Sequence, residues 1–155
     1  MIRLQFSTTE TFASEAIRVF ERGLPSHVDV VLDNGSLLGA RDDAIGGRPR
    51  GVQIRPPAYE VWSRTWIVEL LETPNSQTRL WGFLESQLGK PYDETAIAGM
   101  ALGRDWRSTD AWFCSELVAA GLEVSGWFTR PLCDGVNAIT PRDLMLILSP
   151  WNVGP

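Results

Sequence analysis

The stretch SHVDVVLDNGSLLGAR, residues 26–41, places two apolar runs on either side of Asn34-Gly35. Asn and Gly both accept the positive φ of a type I′ turn, so this pair between apolar runs is the strongest short-range sign of a β-hairpin. The spacing predicts strands over 27–32 and 36–41, joined by a two-residue turn. Such a hairpin commits this part of the chain to antiparallel pairing. VQIRP (52–56) and EVWSRTWIVEL (60–70) read as two further strands, rich in β-branched and aromatic residues. DDAIGGRPRG (42–51) reads as the loop between the sheet segments.

Helical spacing lies on both sides of this cluster. Residues 8–22 predict a helix capped by Thr8 or Thr9, with Phe12, Ala16, Ile17, Val19 and Phe20 as its apolar stripe. Residues 74–90 predict another, with Leu80, Trp81, Leu84 and Leu88 on one side and Gly89 as its stop. Residues 93–103 predict a short helix, and 109–126 a more apolar one. In ITPRDLMLIL (139–148), Thr140 is placed to cap a helix, Pro141 to open it and Asp143 to sit in its first turn. A helix, a strand cluster and then helices spell an α+β fold with an antiparallel sheet, in one domain over residues 1–155.

Composition narrows the function. The net charge is −5, and no basic run is present to neutralise phosphates, which argues against nucleic acid as partner. No stretch reaches the roughly 18 apolar residues of a membrane span, and the first twenty residues lack the apolar core of a signal peptide. The expectation is a soluble, cytoplasmic protein without a membrane span; release by a signal-independent route stays open. With one histidine and two cysteines, Cys114 and Cys133, no zinc site and no cofactor is expected.

AWFCSELVAAGL, residues 111–122, puts Cys114 near the start of an apolar helix. Helix dipole and unpaired N–H groups there favour a thiolate and can hold an oxyanion. A buried cysteine that merely packs is the plainer alternative. His27, the one histidine, opens the first hairpin strand. A thiolate–imidazole pair needs proximity in space alone, so the two can act together despite their separation in the chain. Cys133, in RPLCDGVN, reads as structural.

SHVDVVLDNGSLLGA, followed by LGKPYDE and then FCSELVAAGL, resembles the circularly permuted branch of the NlpC-type, papain-like cysteine peptidase superfamily, which includes the YiiX-like and lecithin:retinol acyltransferase-like proteins. The match covers roughly residues 25–122 through three short motifs. It implies a papain-like sheet or small barrel packed against helices, Cys114 as nucleophile, His27 as general base, and Gly89–Asp93 beside the site. One departure stands out. The family places a polar residue on the second strand, twelve positions after the histidine, to orient the imidazole. That position here is Gly39. Three substitutes are open: Asp42, which a two-residue hairpin places opposite His27; Asp29, on the face of His27 by the period-2 rule, where the family commonly has Gly; and Gln53 on the next strand. Asp42 is taken as the third catalytic residue. Tyr92, Trp112 and Ser115 are the expected substrate-binding residues.

The resemblance implies a cysteine hydrolase acting on a peptide or acyl substrate through an acyl-enzyme, with cell-wall peptide amides ahead of lipid acyl groups. Two alternatives stay open: a lipid thioesterase or acyltransferase, and a non-catalytic binding module on the same fold. Function belongs to the site rather than to the fold, so the site decides among them.

Overall fold

A computed structural model describes residues 1–8, 25–94, 110–132 and 139–154. Five strands form one open antiparallel sheet: β1 (Ile2–Thr8), β2 (His27–Val31), β3 (Leu37–Arg41), β4 (Gly51–Arg55) and β5 (Arg64–Leu70), in the order β4-β3-β2-β1-β5. Three helices follow: α1 (Ser76–Ser86), α2 (Cys114–Val124) and α3 (Pro141–Leu148). The architecture is the expected α+β one, with two differences in its strands.

The first is β1. Thr8, expected to cap a helix, is the last residue of a strand that pairs with both β2 and β5. Ile2, Leu4 and Phe6 alternate with Arg3, Gln5 and Ser7, so the strand has a clean apolar face. The rest of the expected helix over 8–22 lies outside the described residues, as does most of the one over 93–103. The second difference is the hairpin. Leu32 N–H donates to Ser36 O at 2.8 Å, and Gly35 N–H to Leu32 O at 2.8 Å. Three residues, Asp33 to Gly35, therefore make the turn, and Gly35 takes the one positive φ there, +81°. This is the other common hairpin loop, in which a left-handed Gly follows a type I-like turn.

Sheet alternation separates two faces. Ile2, Leu4, Phe6, Val28, Val30, Leu38, Ala40, Val52, Val68 and Leu70 form the apolar face, buried with Leu80 and Leu84 of α1, Leu117, Val118 and Leu122 of α2, and Leu144 and Leu148 of α3. Helix α2 packs on β2 and β3 and against α1 and α3. Every residue from Cys114 to Leu122 is buried, so α2 is the central helix rather than an amphipathic surface one. Gly121 permits the close approach of α1, because a Cβ there would meet Leu80 Cδ1 at 2.6 Å. Helix α3 starts as its sequence prescribes. Thr140 Oγ1 accepts from Asp143 N–H at 3.1 Å, and Asp143 Oδ2 accepts from the Thr140 hydroxyl at 2.9 Å.

The other face is polar. Its residues by register are Gln5, Ser7, His27, Asp29, Gly39, Arg41, Gln53 and Arg55. Tyr59 and Trp62, from the connection between β4 and β5, contact residues of this face. Among the described residues, no helix is long and apolar enough to cross a membrane.

Candidate active site

The polar face builds the site around β2. Period-2 alternation puts His27 and Asp29 together, while Val28 and Val30 turn into the core. The pairs Val30↔Leu38 and Val31↔Leu37 set the register with β3, and counting on brings Asp29 beside Gly39. An ideal Cβ on Gly39 would lie 1.9 Å from Asp29 Oδ1. The carboxylate thus occupies the space in which a side chain at position 39 would begin. The absence of a side chain at Gly39 leaves the room that the Asp29 carboxylate fills.

His27 Nε2 is 3.0 Å from Asp29 Oδ1. Asp29 Oδ2 accepts the Tyr59 hydroxyl at 2.8 Å, and the same phenolic oxygen lies 3.3 Å from Nε2. Oδ1 has no aligned donor, so the ring and carboxylate meet as a close polar pair and not along an ideal N–H···O line. Trp62 stacks on the imidazole, with centroids 5.9 Å apart and planes 10° from parallel. The Arg41 and Arg55 guanidinium groups both lie over the Tyr59 ring, at 5.3 and 5.6 Å. Arg41 also grips Asp43 through two bonds of 2.6 Å. Burial opposes the charge on Asp29, but His27, the Tyr59 hydroxyl and Arg41 outweigh it and hold the carboxyl below its ordinary range.

The expected third residue changes accordingly. On the same register count, Arg41 and not Asp42 falls across from His27, because a three-residue turn displaces the pairing by one. Of Asp42, Asp29 and Gln53, it is Asp29 that contacts the imidazole. Gln53 pairs with Gly39 one strand further out. Ser115 is also corrected: it is fully buried, and its hydroxyl donates to Ile139 O at 2.6 Å, tying α2 to the segment before α3 rather than facing a substrate. Trp112 is half-buried, its indole N–H donating to Gln87 Oε1 at 3.0 Å.

Cys114 is the first residue of α2, is 1% exposed and is in no disulfide. The helix start is braced by Glu116, whose Oε2 accepts from Phe113 N–H at 3.3 Å. Tyr92 packs its ring on Phe113, with centroids 5.8 Å apart. Burial, followed by the negative charges of Cys114 and Asp42, raises the Tyr92 hydroxyl well above its ordinary pKa. Arg41 acts on the same hydroxyl in the opposite sense. Tyr92 therefore packs at the start of α2, while the end of β3 lies at the end of the sheet where β2 begins with His27. The Gly89–Asp93 segment runs along this end: Lys90 O accepts from Val52 N–H at 2.9 Å, and Tyr92 bridges to Trp112. Helix α2 packs on the apolar face and His27 projects from the polar one. A contact between Cys114 and His27 would therefore have to pass around the end of β2 and not through the face that α2 covers.

Tyr59 and Trp62 were not legible as site residues. Trp62 falls in the expected strand over 60–70, but β5 begins only at Arg64, so both residues lie in the connection, and nothing in their spacing announces which face they cover. Arg41 and Arg55 carried a fainter signal, as charged residues within strands, which are rarely buried unless paired. Cys133 lies outside the described residues. Among the described residues, no group of three His, Cys, Asp or Glu side chains is placed to hold a metal ion. No protein-family model matches the chain, and no curated protein is significantly similar to it.

Proposed function

We propose that the protein is a cysteine hydrolase of papain-like fold, with Cys114 as nucleophile, His27 as general base and Asp29 as the residue that orients it. The carrying observation is the engagement of His27 Nε2 by Asp29, which leaves Nδ1 as the ring nitrogen available to a thiol. Nδ1 takes the thiol proton as Sγ attacks the carbonyl carbon of an amide or acyl ester. The imidazolium returns that proton to the leaving amine or alcohol as the carbonyl–heteroatom bond breaks. Water, deprotonated by the same imidazole, then cleaves the thioester and restores the thiol. N–H groups in the first turn of α2 are suited to the oxyanion. Peptide amides, those of cell walls first, are the proposed substrates.

The burial of Cys114 favours a second reading, a non-catalytic module in which the thiol only packs. The two readings differ in reactivity. In the hydrolase, iodoacetamide labels Cys114 at neutral pH, identified by peptide mapping, and His27→Ala slows that labelling at least about tenfold. Cys114→Ala, His27→Ala and the double variant all fall to the same near-background hydrolysis of a peptide and acyl-ester panel, because residues acting as a unit are non-additive. A thiol that labels equally slowly with and without His27, in a protein that cleaves nothing in the panel, decides for the module.

A further inference from the structure

We propose that Tyr59 is a positioning residue for His27, its phenol holding the neutral imidazole in the form that carries the proton on Nε2. The inference rests on the reading of His27 as a base acting through Nδ1, and it adds a residue that neither the sequence motifs nor that reading includes.

The direction of each hydrogen bond follows from what its partners can do. A phenol has one proton to give and two lone pairs to offer. The proton goes to Asp29 Oδ2 at 2.8 Å, the shortest contact the hydroxyl makes and the one to a carboxylate. Arg41 Nη1, 3.4 Å away, is a donor only, so it uses one lone pair. The remaining lone pair faces His27 Nε2 at 3.3 Å. Nε2 then has two acceptors before it, the phenolic oxygen and Asp29 Oδ1. The phenolic oxygen accepts when the proton sits on Nε2 and the basic lone pair on Nδ1, and the nearby carboxylate favours the same form by charge. Asp29 alone is an incomplete restraint, because its Oδ1 takes no aligned donor. With the phenol removed, Oδ2 loses its donor and the carboxylate is free to turn.

The ring itself is firmly held. Tyr59 is 8% exposed, both guanidinium groups lie over it, Trp62 meets it edge-on at 5.3 Å, and Gly46 packs so tightly on it that a Cβ there would come within 2.7 Å of Tyr59 Cβ. Burial and the charge on Asp29 also push the hydroxyl's pKa up, which favours the protonated phenol as donor to Asp29.

The chain has one histidine, so its imidazole ¹⁵N spectrum reports on His27 alone, and of its two tyrosine ¹³Cζ resonances the one that survives in Tyr92→Phe belongs to Tyr59. In the wild-type protein, the neutral imidazole is expected to show the ¹⁵N pattern of the Nε2–H form alone. In Tyr59→Phe the Nδ1–H form should enter the average, and kcat on the peptide panel should fall about tenfold with KM little changed, the loss of one charge-assisted hydrogen bond. A wild-type imidazole protonated on Nδ1 would overturn the proposal. So would a Tyr59→Phe protein that is less stable yet keeps the wild-type ¹⁵N pattern, since that is what a merely structural phenol does. If Tyr59→Phe does not fold, the wild-type Tyr59 ¹³Cζ resonance decides: it should move as His27 titrates, and a resonance that stays still counts against the contact. A protein that hydrolyses nothing but shows the Nε2–H form and its loss in Tyr59→Phe removes the hydrolase reading and leaves the positioning of His27 intact.

Discussion

Asp29→Asn is expected to lower turnover by about 10³–10⁴-fold while leaving the protein folded, the magnitude seen when a triad carboxylate becomes an amide and the histidine settles in the wrong tautomer. An asparagine fits the same space beside Gly39, so the packing survives. What changes is the field at Nε2. The amide can present its N–H₂ to the ring, in which case Nε2 becomes the acceptor and the proton moves to Nδ1, where the thiol proton would have to go. Steady-state kinetics on an active substrate, with far-UV circular dichroism to check the fold, measure this. Wild-type turnover in Asp29→Asn would show that the carboxylate does not orient the base. The same substitution has an acid signature. The Asp29 pKa is lower in the folded protein than its ordinary value of 3.8. The unfolded chain therefore binds more protons in that window, and the ionised Asp29 contributes stability that is present above about pH 4 and is lost as pH falls through the folded-state value. Denaturation of Asp29→Asn between about pH 4 and 2 should be flatter with pH than that of the wild type.

Gly39→Ala should destabilise the protein by about 2–3 kcal/mol. The new Cβ would fall 1.9 Å from Asp29 Oδ1 and 3.3 Å from Val28 O. The backbone oxygen can give by a few tenths of an ångström. The carboxylate cannot, because it is 1% exposed and held by Tyr59 and His27. It has to leave its partners, and a buried carboxylate without partners is costly. The φ of Gly39 is not in the left-handed region, so alanine suits the backbone and the clash is the whole effect. That makes the claim separable. In an Asp29→Ala background, adding Gly39→Ala should cost under about 0.5 kcal/mol in urea denaturation, since the atom it struck is gone. Equal costs in the two backgrounds would mean that positions 29 and 39 do not compete for one space.

Much of the scaffold was legible before any coordinates. Asn34-Gly35 marked the hairpin, and Thr140-Pro141 with Asp143 wrote the start of α3 in local chemistry alone; α1 ends at Ser86, three residues before the expected stop at Gly89. Cys114 at a helix start was legible for the same reason. Strand β1 was missed although Ile2, Leu4 and Phe6 alternate cleanly, because the helical spacing that follows drew Thr8 into a cap. The turn was misjudged by one residue. Asn-Gly permits a two-residue loop but does not forbid a three-residue one, and a shift of one exchanges the residue facing His27 from Asp42 to Arg41.

Local sequence therefore determined the hairpin, the start of α3 and the two residues, Cys114 and His27, whose chemistry suggests a thiol hydrolase. The tertiary structure decided which residue contacts the histidine. Asp29 had the right face but so did others, and nothing in its neighbours along the chain says that Gly39 leaves it room. That fit exists only once β2 and β3 are in register. Tyr59 and Trp62 come to His27 from a connection more than thirty residues away, and the guanidinium groups of Arg41 and Arg55 reach Tyr59 from two further strands. Contacts of that kind depend on strand order and side-chain direction, which a linear pattern with a period of two or 3.6 does not encode.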